Sequence, residues 1–288
     1  MRILRFTHDD DTPRVGARLK SGGILDGSQI EPPNDPFELY DLDGEFLTLL
    51  RGEVERAEDG SSRLPIQSPD AIRLLAPVAR PRKIICIGVN YDDHALESSM
   101  ELPEKPLVFS KFSTTISGPG DPVTLPEGSE EVDYEAELGV IIGREVRGCT
   151  EETALDAVLG YTCVNDISAR DFQFADGQWQ RGKSCDGFCP IGPEIVTTDE
   201  IPDPQSLAIR LQLNGTTMQE ETTAEMVFGV RSIIAHISSF ATLEPGDLIA
   251  TGTPPGCGFA LDPPVYLASG DEVSVLIEGI GELSNTIA

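Results

Sequence analysis

The sequence is short of bases: 21 Lys and Arg stand against 49 Asp and Glu, a formal net charge of -28 over 288 residues, and only five of the bases are lysines. A field of that sign repels nucleic acid and anionic membrane surfaces, so neither is expected as a partner. Long apolar runs are missing too. No stretch reaches the ~18 apolar residues of a membrane span, and the charged start Met1-Arg2-Ile3-Leu4-Arg5 is not followed by the apolar part of an export signal, so a soluble cytoplasmic protein is expected. Cys86, Cys149, Cys163, Cys185, Cys189 and Cys257 contain one close pair and no second pair to complete a zinc site, so they read as core residues or ordinary thiols. Histidine is rarer still, at three.

The acids are scattered rather than gathered into a tail, which describes a uniformly acidic surface. Self-repulsion of that size is relieved when salt shortens the Debye length to about 3 Å near 1 M. The expectation is a cytoplasm of high ionic strength, as in a halophile.

A chain of this length has room for one large domain and one small one. Residues 1–75 carry short β-like pieces broken by Gly, Asp and Pro, an acidic middle and a Pro-punctuated exit, the pattern of a small, mostly β N-terminal domain. Residues 76–288 follow as the larger unit. Lys83 to Asn90 reads as a buried strand and Tyr91 to Ser98 as the short helix after it, with His94 and Glu97 one helical turn apart. His8 falls in an Asp-rich loop and His236 within an amphipathic helix, which leaves His94 as the candidate acid–base imidazole. Pro106 to Phe112 forms the next strand, and the polar, Pro-containing segment between, Leu96 to Lys105, reads as a lid.

Two carboxylates, Glu135 and Glu137, are spaced two apart in Val132-Asp133-Tyr134-Glu135-Ala136-Glu137-Leu138-Gly139, so on a strand they project to the same face. Like charges that close call for a cation or a proton between them. Asp133, before the apolar run, reads as a solvated strand start. Thr150, with Glu151 and Glu152 after it, predicts a helix running to Gly160. Asp166 stands at the end of the strand after that, where ligands commonly converge, while Arg170 and Asp171 read as a structural ion pair. Gly177 to Ser184 matches the G-x4-G-K-S string, but no buried strand precedes it and Cys185 to Pro190 is a poor helix start, so a phosphate loop is not expected. Asn214-Gly215 predicts a hairpin, Val230 to Phe240 a helix, and the loop Gly252-Thr253-Pro254-Pro255-Gly256-Cys257-Gly258 offers backbone N–H groups that suit a carboxylate.

Four pieces in register, Gly88-Val89-Asn90-Tyr91 with His94 and Glu97, Asp133 to Gly139, Val164 to Asp171 and Gly252 to Gly256, together with Lys183, resemble the fumarylacetoacetate hydrolase family from about residue 80 onward. The resemblance implies an α/β, β-rich fold, a mixed β-sandwich roll with a small N-terminal β domain, around a Mg²⁺ or Mn²⁺ site (Ca²⁺ as a structural substitute) in a homodimer. Carried over by position, Glu135, Glu137 and Asp166 hold the metal, His94 oriented by Glu97 is the general base, and Lys183 stabilises the oxyanion. Thr253 and Gly252, with Arg170, hold the substrate. No equivalent is found for the aspartate that larger members place upstream of the histidine. The activity implied is hydrolysis of a 2,4-diketo acid, an acylpyruvate or diketo-deoxy sugar acid, through a pyruvate enolate. Alternatives are isomerisation of a hydroxymuconate-type dienoate, oxaloacetate decarboxylation or ureidoglycolate cleavage, and, from another class, a non-catalytic ion or metabolite binder.

Overall fold

Side-chain alternation places the strand that carries the acids. Along Ala136–Ile142 the residues Ala136, Leu138, Val140 and Ile142 enter one apolar core while Ile141 enters a second on the opposite face, so the strand is buried on both sides. The computed structural model describes every residue of the chain except Asp9, Ser99 and Asp176. Ala136–Ile142 runs antiparallel to both Val158–Asn165 and Leu248–Ala250, inside a twelve-stranded sheet. Leu248–Ala250 is in turn parallel to Ile84–Gly88, which pairs with the outermost strand Leu107–Lys111. The sheet is therefore mixed.

A second, four-stranded antiparallel sheet, in the order Thr216–Thr222, Ala208–Leu213, Glu272–Ile277, Gly281–Thr286, packs over one face. Ile209, Leu211, Val273 and Val275 meet Leu138 and Val140 in the shared core, and helix Val230–Phe240 adds Val230, Ile233, Ile234 and Ile237. The Asn214-Gly215 turn and this helix fall where the sequence places them.

The N-terminal strands extend the same large sheet, because Arg2–Thr7 pairs antiparallel with Cys189–Thr197. Buried Glu194 draws Arg2 (2.9 Å) and Arg18 (2.7 Å) to that seam. The acidic middle of the N-terminal part is helix Glu45–Glu58, which the reading as short β pieces overlooked; Phe46, Leu47 and Leu50 bury in the core on the sheet's other face.

Two further expectations are corrected. Residues 150–160 form no α-helix: a 3-10 turn covers Ala154–Ala157 and the strand begins at Val158. Gly160 lies inside that strand, where a Cβ would stand 2.3 Å from the Val196 carbonyl oxygen, so it marks close strand approach and not a helix end. The acid stretch is also not one continuous strand. It is Val132–Asp133, then a break at Tyr134 and Glu135, then Ala136–Ile142. In the break Glu135 N donates to Asn165 Oδ1 (3.1 Å) and Asp166 N to the Glu135 carbonyl (2.9 Å), so the end of the neighbouring strand holds the kink.

Candidate active site

The kink and the strand end bring Glu135, Glu137 and Asp166 together, with a carboxylate oxygen of each within 4.8 Å of the others. All three are buried, at 5%, 1% and 0% exposure. Carboxylates this deep are costly unless compensated. Lys183 Nζ lies 2.8 Å from Glu135 Oε2 and 2.9 Å from Asp166 Oδ2, and Lys111 Nζ lies 2.5 Å from Asp166 Oδ1. Arg170 Nη2 is 2.8 Å from Glu135 Oε1 and equally far from Asp133 Oδ2.

The three acids are not alike. Burial pushes the Glu135 carboxyl up, but Lys183 and Arg170 outweigh burial and hold it at about 2. For Glu137, burial, Asp166 and Glu135 push the carboxyl well up, outweighing Lys183 and the Gly252 N–H that donates to it at 2.9 Å. Counting Asp133, four buried carboxylates face three buried cations, Lys111, Arg170 and Lys183. The donor set is all oxygen, preorganised and short of positive charge, which fits a hard divalent cation.

His94 and Glu97 are on helix Asp92–Glu97. Glu97 Oε1 lies 2.8 Å from His94 Nδ1 and Glu97 Oε2 accepts from Gly256 N at 2.8 Å, so the glutamate is held from behind while it orients the ring. His94, Glu97 and Cys257 also lie within 4.8 Å of one another. Burial, with Glu135 and Asp133, pushes the Cys257 thiol well up, and a protonated thiol is a poor ligand. The acid cluster is the better metal site.

The glycine loop holds carboxylates, as its N–H groups promise, but they are the protein's own. Gly252 N serves Glu137, Gly256 N serves Glu97 and Gly258 N serves Asp133. Gly252 takes φ +97, and a Cβ there would stand 2.7 Å from Asn90 Cβ. Its amide is thus engaged, whereas Thr253 Oγ1 accepts from Gln219 Nε2 (2.8 Å) and keeps its own hydroxyl proton to give. Asp133 is fully buried, paired with Arg170 and the Gly258 amide, which corrects its reading as a solvated strand start. Arg170 therefore pairs with Asp133 and Glu135, not with Asp171, which takes Ser129 Oγ and Glu130 N instead. Arg170 Nη2 sits between the Asp133 and Glu135 oxygens without a well-directed hydrogen bond to either.

Lys111, Gln173 and Gln219 escaped the sequence reading. Gln173, 3% exposed, accepts from Arg170 Nη1 at 3.0 Å, and its i+3 spacing from Arg170 was the available signal. Gln219 donates to Thr253 and Pro254 while accepting from Ala136 N, tying the glycine loop to the acid strand. Its position in a hairpin strand carried no signal.

His94, Glu135, Arg170, Gln173, Lys183 and Thr253 face a cavity of about 40 Å³, closed by Met100, Phe174, Trp179 and Phe259. Ser98 and Met100 of the expected lid line it, and Ser99 between them lies outside the described residues. A larger cavity, about 800 Å³, shares the Phe109 and Trp179 wall but is lined by none of the three clustered acids, so the chemistry belongs to the small one.

The family described as fumarylacetoacetate (FAA) hydrolase, C-terminal, matches residues 83–288. The chain belongs to the fumarylacetoacetate hydrolase family. It is 43% identical over 291 residues to a mitochondrial oxaloacetate tautomerase of Xenopus laevis, covering 100% of this chain and 90% of that protein. Among solved structures it is similar to 2-hydroxyhepta-2,4-diene-1,7-dioate isomerase of Mycobacterium marinum (34% identity, TM-score 0.77, 100% and 98% covered). It is also similar to maleylpyruvate hydrolase of Sphingobium sp. SYK-6 in complex with manganese(II) and pyruvate (33%, TM-score 0.81, 100% and 99% covered). Fumarylacetoacetate hydrolase family relatives thus include tautomerase, isomerase and hydrolase.

Proposed function

We propose that the chain is an enzyme that interconverts the keto and enol forms of a small 2-oxo dicarboxylate, oxaloacetate being the type, with Mg²⁺ or Mn²⁺ held by Glu135, Glu137 and Asp166. The observation that carries this reading is an imidazole fixed by Glu97 and facing the same cavity as Glu135, one of the three clustered carboxylates. The likeness to oxaloacetate tautomerase over the whole chain supports it.

When bound, the ion polarises the keto group and stabilises negative charge on its oxygen. The chain's residues do the rest. Glu97 holds the proton on Nδ1 and leaves Nε2 as the base. His94 Nε2 takes a proton from the carbon beside the keto group, and the resulting imidazolium delivers it to the oxygen; one C–H bond breaks and one O–H bond forms. Burial pulls the Lys183 ammonium down, but Asp166 and Glu135 outweigh it and raise it, so Lys183 stays a cationic donor for the oxyanion. Arg170 and the Thr253 hydroxyl bind the carboxylate end.

The test follows the loss of enol absorbance of oxaloacetate with Mg²⁺ or Mn²⁺ at high salt, beside pyruvate release from acylpyruvates and from oxaloacetate. Tautomerisation above the buffer rate, reduced about 10²–10⁴-fold in His94→Ala, is expected. A chain that leaves the enol decay at the buffer rate yet cleaves acylpyruvates is instead the 2,4-diketo acid hydrolase of the sequence reading. That second reading is favoured by the likeness to maleylpyruvate hydrolase, since the same imidazole can activate a water. Assembly as a homodimer is part of the proposal, and sedimentation of the intact chain checks it.

A further inference from the structure

The two buried lysines of the cluster stand in different relations to it. Lys183 Nζ is held by Glu135 Oε2 and Asp166 Oδ2, on two of the three clustered carboxylates, and the residue lines the site cavity. Lys111 Nζ is held by Asp166 Oδ1 and by the Ile167 carbonyl at 3.0 Å, and it does not line that cavity. One partner of Lys111 is thus backbone, which fixes the ammonium whether or not the carboxylate stays. Lys111 comes from the end of the outer strand Leu107–Lys111, behind Asp166.

Resting on the metal-site reading above, we infer that the lysines act on metal binding with opposite sign. Lys111 is a positioning residue that clamps the Asp166 carboxylate through Oδ1, whereas Lys183 draws on two of the three carboxylates that would hold the ion and competes with it. A ligand carboxylate fixed by a neighbouring donor binds its metal better, and loss of such a neighbour typically costs about 10–100-fold in affinity. Coulomb repulsion alone would give every nearby ammonium the contrary effect, so the sign of the change separates positioning from charge. Lys183 has somewhere to go: its Nζ already lies 5.2 Å from the Phe109 ring centroid, a face that accepts a cation.

The experiment is calorimetric titration of the intact, metal-stripped chain with Mg²⁺ and with Ca²⁺, comparing wild type, Lys111→Met, Lys111→Arg, Lys183→Met and Glu137→Gln. Lys111→Met is expected to weaken Mg²⁺ by about 10–100-fold and Ca²⁺ by less, because Mg²⁺ demands near-octahedral geometry and Ca²⁺ tolerates displaced ligands. A merely structural role would lower both alike. Lys111→Arg keeps the charge but shifts Asp166, so it too should lose Mg²⁺ preferentially, and it carries the test if Lys111→Met does not fold. Lys183→Met should tighten both ions, by roughly tenfold or more. Tighter Mg²⁺ in Lys111→Met, equal loss of both ions in the Lys111 variants, or unchanged or weaker binding in Lys183→Met overturns the inference. Wild type that binds no ion, or Glu137→Gln that binds as wild type does, overturns the metal-site reading and the inference with it.

Discussion

Glu135 and Glu137 are two residues apart and have opposite electrostatic fates in the metal-free chain. Glu135 is held at about 2, so its contribution to stability is present above the ordinary 4.5 and is lost as pH falls toward 2. Glu137 is pushed well above 4.5, so its contribution is fully present below 4.5 and is lost as pH rises toward its folded value. Replacing each by Gln should therefore separate them. In EDTA, Glu137→Gln is expected to melt above wild type at pH 8, by at least ~2 °C, with the gap closing by pH 4. Glu135→Gln removes one of the two carboxylates held by Arg170 and by Lys183, Asp133 and Asp166 remaining, and should cost about 1–3 kcal/mol at pH 7. Melting curves against pH check both, and a Glu137→Gln chain less stable than wild type at pH 8 would show that the site tolerates the charge without an ion.

At the scale of elements, the site is assembled by strand ends that must meet closely. Gly160 is where Val158–Asn165 passes Cys189–Thr197, and a Cβ there meets the Val196 carbonyl oxygen at 2.3 Å and its carbon at 2.8 Å, backbone atoms that cannot rotate away. Gly160→Ala should cost about 1–3 kcal/mol, seen as a lower denaturation midpoint at unchanged slope. Equal midpoints would mean that the strands part at little cost. The same residue shows where the sequence misleads. Thr150, Glu151 and Glu152 look like a helix start followed by a glycine stop, but long-range pairing of a Val-, Tyr- and Thr-containing run overrides local preference. Features written in short spacing were legible: the E-x-E pair, the His94–Glu97 turn, the Asn-Gly hairpin and the amphipathic helix Val230–Phe240. Lys111, Gln219 and the anchoring of Asp133 to Arg170 and Gly258 were not, because each depends on contacts 37 to 125 residues apart that leave no local pattern.

The whole molecule confines much of its buried charge to one place and leaves the rest of a -28 excess on its surface. Exposed ion pairs such as Arg144–Asp43 and Arg82–Asp35 are screened by solvent and contribute little, so they do not offset the mutual repulsion of the acids. Buried pairs at the site are shielded from salt by the protein around them. The surface is not. We propose that the chain works in a cytoplasm of high ionic strength, and two dependences on salt should then separate. Thermal stability is expected to rise as KCl goes from about 0.05 to 2 M, because the Debye length shrinks from over 10 Å to below 3 Å and the surface acids cease to repel one another. Any dimer, which brings two such surfaces together, should strengthen over the same range. Replacing KCl with an uncharged osmolyte stabilises through exclusion without screening, so it should raise the melting temperature without the steep initial response to the first few hundred millimolar of salt. A melting temperature that is flat in KCl would mean that the acids are spaced widely enough to be tolerated in dilute buffer, and the high-salt setting would be excluded on the molecule's own electrostatics.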